Sequence, residues 1–338
     1  MSREPSDWLG RRILVTGHTG FKGSWLTVWL DLLGAEVHGL GLDPPTTPSL
    51  FDSAGIGDLL VTDHRADVRE YTQLETAVQV VRPEVIVHLA AQPLVARGFE
   101  NPVETWEVNV LGTVNLLEVA RRSVDVAAVL VVTTDKVYED IAHNSGYRET
   151  DRLGGSDPYG ASKAAAELVT RSFSTLVGAR RAEGELRTAT ARSGNVIGGG
   201  DWSPDRLVPD CLRAFDEEKP IGLRFPAAVR PWQHVLDPLN GYLMLVEALC
   251  GTDGDRFTRA WNFGPDSSGE LTSLQLAELA VAVWGAPAAV DPETTPQSIP
   301  ETLALRLDSS MARDELGWGP RWDIKTAMNR TVEWHREW

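Results

Sequence analysis

The stretch ILVTGHTGFKGSWL, residues 13–26, limits the possible folds of this chain more than any other. An apolar run at Ile13, Leu14 and Val15 leads into Gly17, Gly20 and Gly23, spaced three apart. Trp25, Leu26, Trp29, Leu30 and Leu33 then recur at helical spacing. The pattern reads as strand, glycine turn and helix. Unpaired amides at such a helix start can hold a pyrophosphate. Each glycine has its own use: a tight turn at Gly17, close approach to phosphates at Gly20, close helix-to-strand packing at Gly23. The side chains between them, His18, Thr19, Phe21 and Lys22, are candidate dinucleotide contacts. His18 is expected to meet backbone or phosphate rather than to do chemistry.

Downstream, GAEVHGLGLD forms a second strand reaching Asp43, about 20 residues past the glycine loop. A carboxylate there accepts hydrogen bonds from an adenosine ribose diol and repels a 2′-phosphate, which selects NAD over NADP. A third strand is expected at residues 59–61, a helix over residues 71–81, and a buried-type strand in VIVHLAAQ. Alternation of this kind implies an α/β fold: a Rossmann-like, doubly wound parallel sheet whose ligand crevice lies at the strand carboxyl ends. Asp67 and Val68 follow one strand, and Leu89, Ala90, Ala91 and Gln92 follow the next, so all six join the candidate cofactor contacts.

The segment ETWEVNVLGTVNLLEVARR reads as a helix with apolar Trp106, Val110, Val114, Leu117 and Val119. Asn109 and Thr113 share one of its sides, and Asn109 is a candidate substrate contact. Next, the apolar strand in AAVLVVTTDKVYED stops at Thr133, Thr134, Asp135 and Lys136, four polar side chains where the crevice should be. Thr133 is assigned to the cofactor. In DPYGASKAAAEL, Ser156 or Asp157 can cap a helix with Pro158 in its first turn. Tyr159 and Lys163, four apart, then project from one face into one pocket. Beyond Leu186 the alternation loosens, through RTATARSGNVIGGGDW and LRFPAAVRPWQHVLD to helices expected over 272–284 and 324–338. Residues 1–191 are expected to form the cofactor domain and residues 192–338 mainly a smaller substrate-binding lobe, with a helix over 237–250 returning to the first.

Composition narrows the function. A net charge of −16 opposes a general nucleic-acid role, because phosphate backbones demand clustered Lys and Arg. No apolar run reaches the ~20 residues of a membrane span, and the first residues lack a signal-peptide core, so a cytoplasmic protein with no membrane partner is expected. Cys211 and Cys250 show neither a CxxC pair nor metal-ligand spacing, and no metal site is expected.

Taken together, TGHTGFKG, TTDK and YGASK resemble the extended short-chain dehydrogenase/reductase superfamily, with its TGxxGxxG and YxxxK pattern. Within it, LDPPT, HLAAQPLV, TTDKVYE, RSGNVIGGGDW, RPWQHVLDPLNGYL and the closing WDIKTAMNRTVEWHREW are similar to the CDP-glucose branch of the nucleotide-sugar 4,6-dehydratases. The chain shares Asp135-Lys136 with that branch, where dTDP-glucose dehydratases carry Asp-Glu. It departs at Phe225, where an Asn is common.

The resemblance implies a hydro-lyase that holds NAD and converts CDP-glucose to its 4-keto-6-deoxy form. Hydride would leave C4, water would be lost across C5 and C6, and hydride would return to C6. It implies Tyr159 as base at the C4 hydroxyl with Lys163 as its supporting cation, Thr134 sharing the C4 oxygen, and Asp135 as acid at C6. Lys136 is implied as C5 base or as an orienting group. Asn195, Arg206, Arg224, Arg230 and His234 are the remaining candidate substrate contacts, though His234 reads more simply as a structural histidine. A homodimer, or a tetramer, is the implied assembly. Two other readings stay open: a nucleotide-sugar 4-epimerase, which shares Tyr159, Lys163 and Thr134, and a non-catalytic NAD-binding regulator.

Overall fold

A computed structural model describes residues 7–140, 145–178, 186–291 and 302–338. Its strands are β1 (Arg12–Thr16), β2 (Glu36–Gly41), β3 (Thr62–Arg65), β4 (Val85–His88), β5 (Ala128–Val132), β6 (Arg187–Ser193), β7 (Val196–Ile197), β8 (Val229–Pro231), β9 (Gln233–His234), β10 (Ala260–Phe263) and β11 (Glu270–Thr272). The main helices are α1 (Phe21–Leu32), α2 (Leu50–Ser53), α3 (Tyr71–Val81), α4 (Val95–Glu100), α5 (Pro102–Trp106), α6 (Gly112–Arg122), α7 (Pro158–Gly178), α8 (Leu207–Asp216), α9 (Leu236–Cys250), α10 (Ser273–Trp284), α11 (Ser310–Leu316) and α12 (Ile324–Glu337).

Seven strands form one parallel sheet in the order β10-β6-β5-β4-β1-β2-β3. Every residue of β4 and β5 is buried, as expected where helices cover both faces of a parallel sheet. Ile13, Val15, Leu26, Leu30 and the α9 residues Leu239 to Leu249 fill one face, while Leu14, Leu74, Ile86, Leu116 and Val129 fill the other. From β1 the chain winds outward to β3, then crosses to β4 and winds the other way. The reversal between β1 and β4 opens a crevice at their carboxyl ends.

The third strand lies at Thr62–Arg65, three residues beyond its expected place. TDHR has no apolar residue, because β3 is the sheet edge and carries polar side chains there. At the other edge is β10, a strand that the sequence pattern did not single out. Together with α9 it places later chain against the sheet, and β6 runs through the expected division at 191/192. A separate core of α8, α10 and α12, with Leu212, Phe215, Leu276 and Met328, makes the second lobe.

Between α5 and α6 the long helix takes one π turn, Glu107–Leu111. This extra residue in the turn rotates the helix about its axis, so Thr105, Asn109, Thr113 and Leu116 face inward. Trp106, expected in the apolar face, is instead 41% exposed.

Candidate active site

The glycine loop lies at the switch point. Gly17 adopts φ +73°, and a Cβ there would sit 2.7 Å from the Ala90 backbone N at the end of β4, so only glycine fits between the two strand ends. At Gly23 a Cβ would collide with the Gly17 carbonyl, which keeps α1 tight on the loop. Gly20 caps α1 without any side-chain bond, and the first turn holds no acidic residue. Its amides can therefore meet an anion, and the cradle fits the pyrophosphate of a dinucleotide.

Asp43 lies beyond the end of β2 with its side chain 91% exposed and the Arg65 guanidinium 3.4 Å away. Asp67 is held by the Arg69 guanidinium, whose bonds keep its carboxyl below the usual range. Val68 is buried against the Gly112 backbone of the long helix. Several expected cofactor side chains are engaged within the protein. His18 is fully buried, bonds Asp63 through Nε2 at 2.9 Å and packs on Gly39, so it braces the loop to β2 and β3 rather than meeting a phosphate. Thr19 donates to the Leu42 carbonyl, and Phe21 packs into the core. Leu89 also packs against that core. The Gln92 amide is taken up by Leu94 N and Thr105. Thr133 Oγ1 donates to Glu167.

The catalytic candidates converge at the end of β5. Thr134 Oγ1 donates to Asp135 Oδ1 at 3.0 Å and stands close enough to the Tyr159 phenol to act on it. Asp157 Oδ1 accepts from Gly160 N and so starts α7 where Tyr159 enters the crevice. Burial pushes the Tyr159 phenol up to about 12, while Thr134 and the Arg206 charge pull it down. Lys163 donates to the Val132 carbonyl at 3.0 Å, and burial lowers it to about 8 against the charge of Glu167. Asp135 is 3% exposed, and its Oδ2 makes no hydrogen bond among the described residues. Burial raises that carboxyl above the usual range, opposed by Lys136 and Arg230. Desolvation at this place favours a protonated acid.

Lys22 reaches the same cluster from α1. Its Nζ donates to Ser193 Oγ at 2.7 Å, Ser193 bonds Tyr242, and burial lowers the lysine to about 7. Of the expected substrate cations, Arg206 pairs with buried Asp201 at 2.9 Å and stands close enough to act on Tyr159. Arg230 is buried and acts on Asp135. Arg224 lies farther out, paired with Asp205 at 2.5 Å. Asn195 follows β6 at the carboxyl edge of the sheet. Two expected substrate contacts are internal. Asn109 is 1% exposed, and its amide is shared between the Gln92 backbone and Ser162. His234 is buried, accepts from Leu236 N, and is held at about 4 by burial. Glu167, Arg192, Ser193 and Tyr242 were not singled out from the sequence. Only the i, i+4 spacing of Glu167 from Lys163 hinted at one of them.

Comparison with known proteins agrees with this geometry. The NAD dependent epimerase/dehydratase family matches residues 13–258. A CDP-glucose 4,6-dehydratase of Salmonella typhimurium is 44% identical over 98% of this chain and 92% of its own length. A dTDP-glucose 4,6-dehydratase of Streptomyces antibioticus is 31% identical over 96% and 92%. Among solved structures, a dTDP-glucose 4,6-dehydratase of Streptomyces venezuelae with NAD bound superposes with TM-score 0.81 at 28% identity, covering 96% of this chain and 97% of the other.

Proposed function

Since the chain belongs to the NAD-dependent epimerase/dehydratase family, we propose that it dehydrates CDP-D-glucose to CDP-4-dehydro-6-deoxy-D-glucose. The observation that carries this reading is Asp135, a buried carboxyl beside Thr134 and Tyr159 with one oxygen that has no partner among the described residues. Exchange of configuration at C4 needs no acid aimed at C6, whereas loss of the C6 hydroxyl as water does.

NAD fits the glycine cradle and, when bound, supplies reversible two-electron redox chemistry next to the sugar. The protein residues do the rest. Tyr159 takes the C4 hydroxyl proton, and Thr134 holds the same oxygen through a hydroxyl that can donate or accept. A phenol near 12 is a weak base at neutral pH. One cation about 6 Å away at an effective dielectric of about 20 lowers it by roughly two pKa units. Arg206 already acts on the phenol, and the Lys163 ammonium one turn along α7 is the further cation at hand. Once C4 is a ketone the C5 proton is acidic, and Asp135 protonates the departing C6 hydroxyl. Lys136, next to it, orients that hydroxyl or receives the C5 proton. Arg206, Arg230 and Arg224 carry planar donors suited to a diphosphate.

The exposed apolar residues Phe99, Val103, Trp106, Leu111 and Leu168 on α4 to α7 support a homodimer formed through these helices. No helix among the described residues is long and apolar enough to cross a membrane. The deciding experiment incubates the purified protein with CDP-, dTDP-, GDP- and UDP-glucose and follows the alkaline absorbance of a 4-keto sugar. CDP-glucose is expected to react fastest. A product that keeps its C6 hydroxyl refutes the dehydratase reading and leaves the epimerase.

A further inference from the structure

We propose that Glu167 is a positioning residue of the catalytic centre: its buried carboxylate ties the end of β5 to α7 and supplies the negative charge that Lys163 faces. Glu167 is 4% exposed. Oε1 accepts from Thr133 Oγ1 at 2.5 Å and Arg192 Nε at 2.9 Å, and Oε2 accepts from Thr190 Oγ1 at 2.6 Å and Arg192 Nη2 at 2.9 Å. Four donors from β5 and β6 thus converge on one side chain of α7.

A buried ion pair alone says little about catalysis. The order of the contacts ties Glu167 to the reacting groups. Two consecutive residues at the end of β5 are each bonded to a different residue of α7, and the next stands beside a third. Val132 accepts from Lys163, Thr133 donates to Glu167, and Thr134 acts on Tyr159. Loosening the middle tie moves the two reacting hydroxyls, Thr134 and Tyr159, relative to each other. Arg192 extends the tie, because it is also held by the Tyr138 hydroxyl at 2.8 Å, and the next residue, Ser193, receives Lys22.

The electrostatics run the same way. Tyr159 and Glu167 lie one turn from Lys163 on its own helix, His88 on β4 and Lys22 from α1 feel its charge, and Arg192 on β6 is paired with Glu167. Burial holds His88 at about 3, so it is neutral, and Lys22 adds repulsion. Glu167 is the charge that opposes desolvation of Lys163. Without it the ammonium deprotonates at lower pH, and the Tyr159 phenolate loses a supporting cation.

The inference rests on Tyr159 and Lys163 being the working pair, and its test separates the two claims. The chain has only five lysines, Lys22, Lys136, Lys163, Lys219 and Lys325, so ¹³Cε-lysine NMR can follow Lys163 with no substrate present. In Glu167→Gln its titration should fall by about one to two pH units, the size of a charge one helical turn away. The alkaline limb of kcat/KM should move down with it, while KM changes little. Glu167→Asp, which keeps the charge, should restore the limb. Thr133→Val keeps the ion pair and removes only the tie to the strand end. It should lower kcat by about tenfold or more, since small misplacements of reacting groups are costly, and leave the pH limits in place. A folded Glu167→Gln with an unchanged Lys163 titration overturns the electrostatic claim, and Thr133→Val with wild-type kcat overturns the geometric one. If Glu167→Gln does not fold, Thr133→Val decides, and wild-type kcat in that variant overturns the inference. Normal Lys163 coupling in a protein inactive on every nucleotide-glucose would instead refute the functional reading alone.

Discussion

Asp135→Asn separates the two halves of the reaction. The substitution is isosteric, and the Asn Oδ1 can still accept from Thr134 Oγ1, now at 3.0 Å, so the geometry around Tyr159 is kept. What is lost is the proton on the unpartnered oxygen. General acid catalysis contributes ~10²–10⁴-fold, equivalent to about 2.7–5.4 kcal/mol at about 1.36 kcal/mol per decade. Oxidation at C4 should proceed while loss of water stalls by that factor. Rapid mixing with CDP-glucose should show the ultraviolet band of reduced nicotinamide rising to nearly one equivalent per site and decaying slowly, with little 4-keto product. Tyr159→Phe should behave in the opposite way, with no such band, because the C4 hydroxyl keeps its proton. If Asp135→Asn turns over at the wild-type rate while Lys136→Met accumulates the band, Lys136 carries the elimination and the assignment is reversed.

The same Asp135→Asn variant should be more stable than wild type near pH 8. Burial raises the folded carboxyl, so its favourable contribution is complete below the unfolded value of about 3.9 and is lost as pH rises through the folded value. The gain in melting midpoint should therefore grow from pH 4 to pH 8, by about 2–4 °C per kcal/mol, and an equal gain at both ends would contradict it. NADP should bind about tenfold more weakly than NAD, a modest factor because Asp43 is exposed and partnered by Arg65. Calorimetry on cofactor-free protein checks this, and Asp43→Asn should narrow the gap. The wild-type chain should be dimeric in light scattering at micromolar concentration and Trp106→Asp monomeric, whereas a monomeric wild-type chain refutes the proposed interface.

Much of the site was legible because its chemistry is local in sequence. A strand, three glycines and a helix start fall within residues 13–26, and each depends on its near neighbours for geometry. Tyr159 and Lys163 are one helical turn apart, and Thr134 and Asp135 are adjacent, so spacing alone put each pair in one place. The doubly wound parallel sheet followed from the alternation, and with it a crevice at the strand carboxyl ends, while the structure placed that crevice between β1 and β4.

Other features depended on partners far along the chain. The edge strand β3 has no apolar signal, because an edge needs no second buried face. The π turn at Glu107–Leu111 shifted the helix face that heptad-like spacing would assign, turning Asn109 inward and Trp106 outward. Where a polar side chain ends up is decided by which donor or acceptor lies within about 3 Å after folding. His18 found Asp63, Gln92 found Thr105, and Thr133 found Glu167. Arg192 reached Glu167 from β6, 25 residues away. Residue type and spacing determined which groups could do the chemistry, while the tertiary structure decided which of them face the crevice and which hold it in shape, because burial presses nearly all polar groups to find a partner and those partners are remote in sequence.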